Sequence, residues 1–440
     1  QTKAGHRFNI FRWQEDRERI LRFYRARDLA LARILSERLD SESGVLKVRI
    51  DEGKISGIEL TGNQKTRNLV VLREFPLRPG QLFRFSLLEK GVENIYSLDL
   101  FERVQPEFFW RKNRLHIRIR LREKPFTLLQ LRYNYSRDDL FQGQMRWIHN
   151  NLLGLGNRLL AEGTLGRRRA AAALSFQSDR VFRSYLSTMV RLYSTSRGIY
   201  AFSGGRQVGN FWDERTGLRV SIGQQLKKIG MVNFVFTTES IRFLRDYGYG
   251  YPTVRTHKTS LQLQSIVDSR DRVPFPFSGR FQFFYYEVAS ELMGNETPFF
   301  KIYSSLESYF TFFRRWTLHP RLIWAAADMT TPFYEMFPVG GLSSFYGLRN
   351  HELLGRRIFV GSLEIRYFLP AKIPVSTYFS LRADWGSVWK NSTSAIQLKD
   401  FFSGSGASIS FDSLLGVFSL GYGQNSRGRK ELYWDFGFKF

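Results

Sequence analysis

Beyond about residue 126 the chain alternates apolar and polar residues with a period of two, whereas near its start the period is helical. In 361–369, Leu363, Ile365, Tyr367 and Leu369 share one face and Glu364 and Arg366 the other. In 379–386, Phe379, Leu381, Ala383 and Trp385 oppose Ser380, Arg382, Asp384 and Gly386. The last stretch sets Leu432, Trp434, Phe436, Phe438 and Phe440 against Tyr433, Asp435, Gly437 and Lys439. Such runs predict strands with one apolar face, and a slip of one residue would turn every charge to the wrong side. At ~20 residues per strand and connection, 126–440 holds ~16 strands, an even number as a closed antiparallel barrel requires.

The first part reads differently. Ile20, Phe23 and Tyr24 mark one side of a helix over 14–26, and Val45 to Asp51 alternates as a strand. A fuller unit follows. Ile58 and Leu60 lie on a strand ending at Gly62-Asn63, and Thr66 is placed to cap a helix running to Phe75. Ser86-Leu87-Leu88-Glu89 has capping-box spacing ahead of a second helix carrying Leu88, Val92 and Ile95. Two strands close the unit, one through Val104, Pro106, Phe108 and Trp110, the other with Leu115, Ile117, Ile119 and Leu121 opposite His116, Arg118, Arg120 and Arg122. The order is β-α-α-β-β. Pro106 cannot donate to a ladder, so its strand is expected at a sheet edge. Arg103, Val104, Gln105 and Glu107 are then candidates for pairing with an extended polypeptide; edges also arise simply because a sheet must end.

Composition supports a barrel. The 440 residues include 41 Phe, 20 Tyr and 36 Gly, yet mean hydropathy is −0.30 and no apolar run reaches the ~18 residues of a membrane helix. Apolar side chains on alternate strand positions reconcile the two, since one face meets lipid and the other a polar lumen. The formal charge of +26 is spread along the chain with no compact basic tail or DNA-binding motif. A nucleic-acid partner is therefore not expected; cations lining a lumen and rim, facing anionic lipid headgroups and acidic client segments, account for it better.

In this order the segments resemble the outer-membrane superfamily of BamA, TamA and two-partner-secretion transporters. Asp51 to Asn63 looks like that family's junction between polypeptide-transport-associated modules, and Tyr96 to Phe101 like its second helix end. Asn150 to Asn157 resembles its first periplasmic turn, Asp268 to Gly279 its mid-barrel hairpin, and Asp384-Trp385-Gly386 its Asp-x-Gly strand. Leu432, Trp434, Phe436, Phe438 and Phe440 resemble the carboxy-terminal targeting signal of such barrels. The resemblance implies a partial module in 1–52, a complete one in 53–125 and a transmembrane barrel in 126–440. Because 14–51 matches only the second half of a module and no leader segment opens the chain, a trimmed chain is expected.

Phe337-Pro338-Val339-Gly340-Gly341 resembles the start of the loop that in this family folds back into the lumen. Relatives carry Arg before Gly at its tip, pairing with the strand carboxylate matched by Asp384. Here the tip reads Phe345-Tyr346-Gly347-Leu348-Arg349. Two expectations follow: either Arg349 substitutes for the displaced arginine beside Asp384 and Glu364, or Arg366 and Arg382 already neutralise those carboxylates.

No catalytic or metal constellation is legible. The six His are scattered, no Cys is present, and neither a phosphate loop nor a G-x-S-x-G elbow occurs; no cofactor is implied. The resemblance implies a bacterial outer-membrane protein with a periplasmic module, handling unfolded or partly folded polypeptide clients among outer-membrane lipid and lipopolysaccharide. Accessory lipoproteins or an inner-membrane partner could assist. The alternatives are a pore dedicated to one exoprotein, the translocator of a fused patatin-like lipase, and a passive porin.

Overall fold

The computed structural model describes residues 8–40, 43–180, 184, 186–226, 230–370 and 375–438. Two compact units emerge, Gln1–Thr127 with His149–Arg158, and Leu128–Ile148 with Leu159–Phe440.

The first unit opens with α1 (Ile10–Arg25), capped by the Asn9 side chain, which accepts from Phe11 N–H. The antiparallel pair β1 (Arg33–Leu39) and β2 (Leu46–Asp51) follows. β1 has no counterpart in the alternation analysis, because its Ser-Glu-Arg core lacks an apolar stripe. Next come β3 (Ile55–Thr61), α2 (Asn68–Glu74), α3 (Phe85–Ser97), β4 (Phe101–Arg111) and β5 (Arg114–Glu123). The sheet order is β3-β5-β4, with β3 parallel and β4 antiparallel to β5. Leu115, Ile117, Ile119 and Leu121 bury one face of β5 against Val70, Phe75, Phe83, Leu88 and Ile95 of the helical layer. The β-α-α-β-β order is as the sequence predicts.

Both predicted caps are placed differently. Ser86 lies inside α3, and Asp28, in the connection after α1, caps that helix instead: its carboxylate accepts from Ser86 N–H at 3.0 Å and from the Ser86 hydroxyl. These bonds, the hydroxyl first, hold the Asp28 carboxyl below its ordinary range. α2 starts after Thr66, whose N–H donates to Glu123 at 2.7 Å and whose hydroxyl accepts from the Asn151 amide at 2.9 Å. A threonine engaged by two distant residues is unavailable to its own helix.

The second unit is a barrel. Its strands begin with β6 (Thr127–Ser136), β7 (Leu140–Leu152), β8 (Asn157–Gly166), β9 (Arg169–Ser178), β10 (Leu186–Ser203) and β11 (Arg206–Leu226). They continue through β12 (Gly230–Gly248), β13 (Val254–Asp268), β14 (Gly279–Ala289), β15 (Phe299–Phe312) and β16 (Trp316–Ala327). A long loop, 328–356, holds the small pair β17 (Phe337–Val339) and β18 (Leu353–Gly355). The wall resumes with β19 (Arg357–Leu369), β20 (Ser376–Trp389), β21 (Phe402–Ser413), β22 (Gly416–Asn425) and β23 (Lys430–Gly437).

Among the described residues sixteen strands close the wall, β23 pairing antiparallel with β6. Sidedness follows the alternation: Leu363, Ile365, Leu369, Phe379, Leu381 and Trp385 are exposed on the outside, while Arg366, Ser380 and Asp384 are buried inside. No described helix is long and apolar enough to cross a membrane; crossing falls to the strands.

Candidate functional site

The loop 328–356 turns into the lumen because the wall offers it charged partners. Its tip rests on Asp384, whose side chain is wholly buried and accepts the Tyr346 N–H at 2.8 Å. Arg382, two residues earlier on the same inward face of β20, pairs with Asp384 at 3.0 Å, lies over the Tyr346 ring at 3.9 Å and donates to Leu342 O at 2.7 Å. From β16, Arg321 donates to the Ser343 and Ser344 carbonyls, the latter at 2.7 Å. The tip is thus gripped by arginines of the wall. The guanidinium and the backbone N–H both bond Asp384 Oδ2 and offset part of the cost of burying its charge.

Arg349 is not part of this arrangement. It pairs with Asp138 in the β6–β7 turn at 3.3 Å and lies near the Tyr200 and Phe202 rings. The expectation that Arg349 replaces the missing loop arginine is therefore corrected. Arg382 pairs with Asp384 at 3.0 Å and Arg366 with Glu364 at 2.9 Å, so each carboxylate has a guanidinium from its own strand. Glu364 also accepts from Ser380 at 3.0 Å and lies 3.4 Å from His319, both on the wall. The two carboxylates paired in the sequence analysis thus do different things: Asp384 holds the loop, and Glu364 braces the wall.

A second anchor has no precursor in the sequence reading. Glu335, buried in the loop, meets Arg215 at 2.7 Å, Lys258 at 3.2 Å and the Lys301 ammonium. Glu239 and Glu287 share the same cations. The inward positions of these strand residues could be read from alternation, but Glu335 ends a single 3-10 turn, Phe333–Glu335, too short for any period to mark a face.

The tip also touches the closure of the barrel. Tyr433 of β23 donates its hydroxyl to Leu348 O at 2.9 Å, Asn425 of β22 donates to Gly347 O at 2.9 Å, and Arg429 bridges Glu352 and Glu431. Gly347 has φ +75°, and a Cβ there would collide with the Gln424–Asn425 backbone. Only glycine lets the tip lie this close to the wall.

At the closure itself, β23 and β6 share three residue pairs among the described residues: Asp435 with Ser136, Phe436 with Tyr135, and Gly437 with Asn134. The adjoining β22–β23 junction has eight and the β10–β11 junction eighteen. Gly437 has φ +118°, and a Cβ on it would strike the Tyr133 carbonyl, so the close approach here depends on glycine. Polar side chains supplement the short ladder, Asn134 to Asp435 at 2.6 Å and Arg137 to Glu431 at 2.5 Å. Of the aromatic C-terminal set, Leu432, Trp434 and Phe436 alternate along β23, Phe438 N–H donates to Tyr133 O at 2.8 Å, and Phe440 lies outside the described residues.

In the first unit β4 is an edge of its sheet. Its free amides are unevenly distributed. Val104 N–H is taken by the Tyr96 hydroxyl at 3.0 Å, and Pro106, the next residue facing the same way, has none. Glu107 is engaged by Arg120 at 3.0 Å. Arg103, Val104 and Gln105 thus lie on the blunted half, and by the pairing phase the outward amides with no hydrogen bond among the described residues are those of Phe108 and Trp110.

An antiparallel barrel with an apolar exterior, a charged lumen entered by its longest loop, and a β-α-α-β-β module ahead of it define a bacterial outer-membrane barrel protein with a periplasmic N-terminal module. Residues 151–440 match the Omp85 superfamily domain, and 54–124 match the surface antigen variable number repeat, the POTRA module. The chain belongs to the Omp85 superfamily.

An outer membrane protein assembly factor BamA from Neorickettsia risticii is 27% identical over 180 residues, which are 39% of this chain and 24% of that protein. This chain therefore aligns with about a quarter of that relative's length. Among solved structures, BamA from Haemophilus ducreyi lacking POTRA domains 1-3 superposes with a TM-score of 0.77 at 15% identity, covering 100% of this chain and 96% of that one. CdiB from Escherichia coli gives 0.61 at 15% identity, covering 98% and 85%. At such identity the likeness is one of fold.

Proposed function

We propose that the protein inserts or translocates polypeptides at the outer membrane, its periplasmic module receiving unfolded or partly folded clients and its barrel releasing them through the β6–β23 seam. The observation that carries this reading is the short ladder at that seam, three described pairs beside junctions of eight and eighteen. Fewer paired residues make it weaker than either of those junctions, and an open strand edge is a template that any extended chain can extend without a sequence requirement. The module contributes a smaller template of the same kind at Phe108 and Trp110 of β4. Accessory lipoproteins, an inner-membrane partner and surrounding lipopolysaccharide belong to this proposal as assisting partners. A passive porin fits less well, since the loop 328–356 is tied across the lumen by three groups of polar contacts.

The test is a reversible lock. The chain has no Cys, so Ser136→Cys with Asp435→Cys, directly opposite across the seam, forms a single defined disulfide. In proteoliposomes offered a urea-denatured outer-membrane barrel as client, protease-protected client is expected to vanish on oxidation and return on reduction. Undiminished insertion by the fully oxidised protein would sink lateral release.

A further inference from the structure

The outward face of β12 and β13 changes character in register. Phe236 stands opposite Leu261, Thr238 opposite Thr259, Ser240 opposite His257, and Arg242 opposite Arg255. Below this series, Phe234 and Leu263 continue the exposed apolar belt. Strands alternate in direction, so the β12–β13 connection lies at the same end of the barrel as the loop 328–356. Long loops mark the extracellular end of such barrels, which places the two arginines where the outer leaflet's headgroups begin.

Two guanidiniums directly opposite each other on one face repel, and strand pairing gives no reason for the arrangement. Glu214, the next residue in this row on β11, pairs with Arg242 at 2.9 Å. Arg255 is exposed and has no ion pair among the described residues. The row therefore holds two cations and one carboxylate at the boundary of the apolar belt, with His257 steadied beneath it by a 2.9 Å contact to the Thr238 hydroxyl.

We propose that Arg242 and Arg255, with Ser240 and His257 below them, bind the phosphate of a phosphorylated glycolipid of the outer leaflet, whose acyl chains lie on Phe234, Phe236, Leu261 and Leu263. Opposed side chains ~5 Å apart bring two planar donor forks to one phosphate, a geometry suited to guanidinium–phosphate recognition. The phosphate relieves the repulsion within the pair, and the hydroxyl and imidazole row supplies further donors. This inference rests on the chain's place in the outer membrane and not on its handling of clients.

The experiment is native mass spectrometry of the purified, folded full chain in detergent, titrated with bisphosphorylated lipid A, its dephosphorylated counterpart, phosphatidylglycerol or inorganic phosphate. The wild type is expected to retain bisphosphorylated lipid A in preference to all three. Arg242→Gln or Arg255→Gln each weakens it about fivefold and the double variant about thirtyfold. Arg280→Gln, an outward arginine near the opposite end of β14, leaves retention unchanged. Heat-modifiable electrophoretic mobility confirms that each variant remains a closed barrel.

Equal retention by the double variant, or equal binding of the dephosphorylated lipid, overturns the proposal. Saturation by inorganic phosphate alone at the same concentration overturns it too, by showing a simple ion site. Client insertion measured on the same preparations is independent: its failure in the wild type would sink the functional reading and leave lipid retention intact.

Discussion

Replacing Asp384 by asparagine separates the two lumen carboxylates by what they hold. Asp384 accepts the Tyr346 N–H at 2.8 Å and the Arg382 guanidinium at 3.0 Å, in surroundings where its side chain has no exposure and that of Arg382 only 8%. Asparagine keeps one acceptor oxygen but turns an N–H2 group toward the cation or the amide. A hydrogen bond to a charged partner contributes about 1.5–3 kcal/mol, and most of it exists only while the loop is seated. A loss of about 2–3 kcal/mol raises the population of the released loop about 30–150-fold, by the usual tenfold per 1.4 kcal/mol.

Hydrogen exchange of a peptide covering 342–350, followed by mass spectrometry in detergent or nanodiscs, reads this directly, because local opening governs exchange there. Glu364→Gln is the companion. Its contacts with Arg366, Ser380 and His319 all lie on the wall, so exchange in 342–350 stays at the wild-type rate. Equal acceleration by both variants, or none from Asp384→Asn, refutes the division of labour between the carboxylates.

Two further outcomes are expected. Tyr433→Phe removes the hydroxyl that binds Leu348 O, which costs about 1 kcal/mol and speeds exchange at 348–350 about fivefold without altering 333–336; an unchanged rate at the tip would show that Tyr433 only packs there. In the module, burial pushes the Glu123 carboxyl up, but the Thr66 side-chain bond and the N–H groups of Thr66 and Lys65 outweigh it and hold the carboxyl below its ordinary 4.5. A depressed folded-state pKa means that this contribution is fully present above about pH 4.5 and fades as pH falls through the lower folded value. Corrected for intrinsic rates, exchange at 64–68 therefore rises on acidification below 4.5 in the wild type and is pH-independent in Glu123→Gln; parallel profiles would exclude Glu123 as the cause.

The strands were the most readable part, because sidedness in a lipid-facing wall depends only on odd or even position. Leu363 and Arg366, or Leu381 and Asp384, could be sent to opposite faces without knowing any neighbour. The β-α-α-β-β order was readable for the same reason, through the apolar stripe of Leu115 to Leu121. What failed was whatever depends on which residue of another segment arrives first. Asp28 caps α3 from a connection more than fifty residues away, and Thr66 is claimed by Glu123 and Asn151. Arg349 meets Asp138, while Arg382 is already beside Asp384 on its own strand. Glu335 was invisible since a single 3-10 turn carries no period, although the inward Lys258 and Lys301 mark the wall that receives it.

Between 342 and 346 the grip on the inserted loop runs through its main chain: the carbonyls of 342–344 receive the Arg321 and Arg382 donors, and the Tyr346 amide gives to Asp384. Those handholds belong to the wall strands β16 and β20. Any stretch of extended backbone carries the same carbonyls and amides, so these handholds are indifferent to side-chain identity. The lumen thus holds the protein's own peptide by groups that every peptide carries.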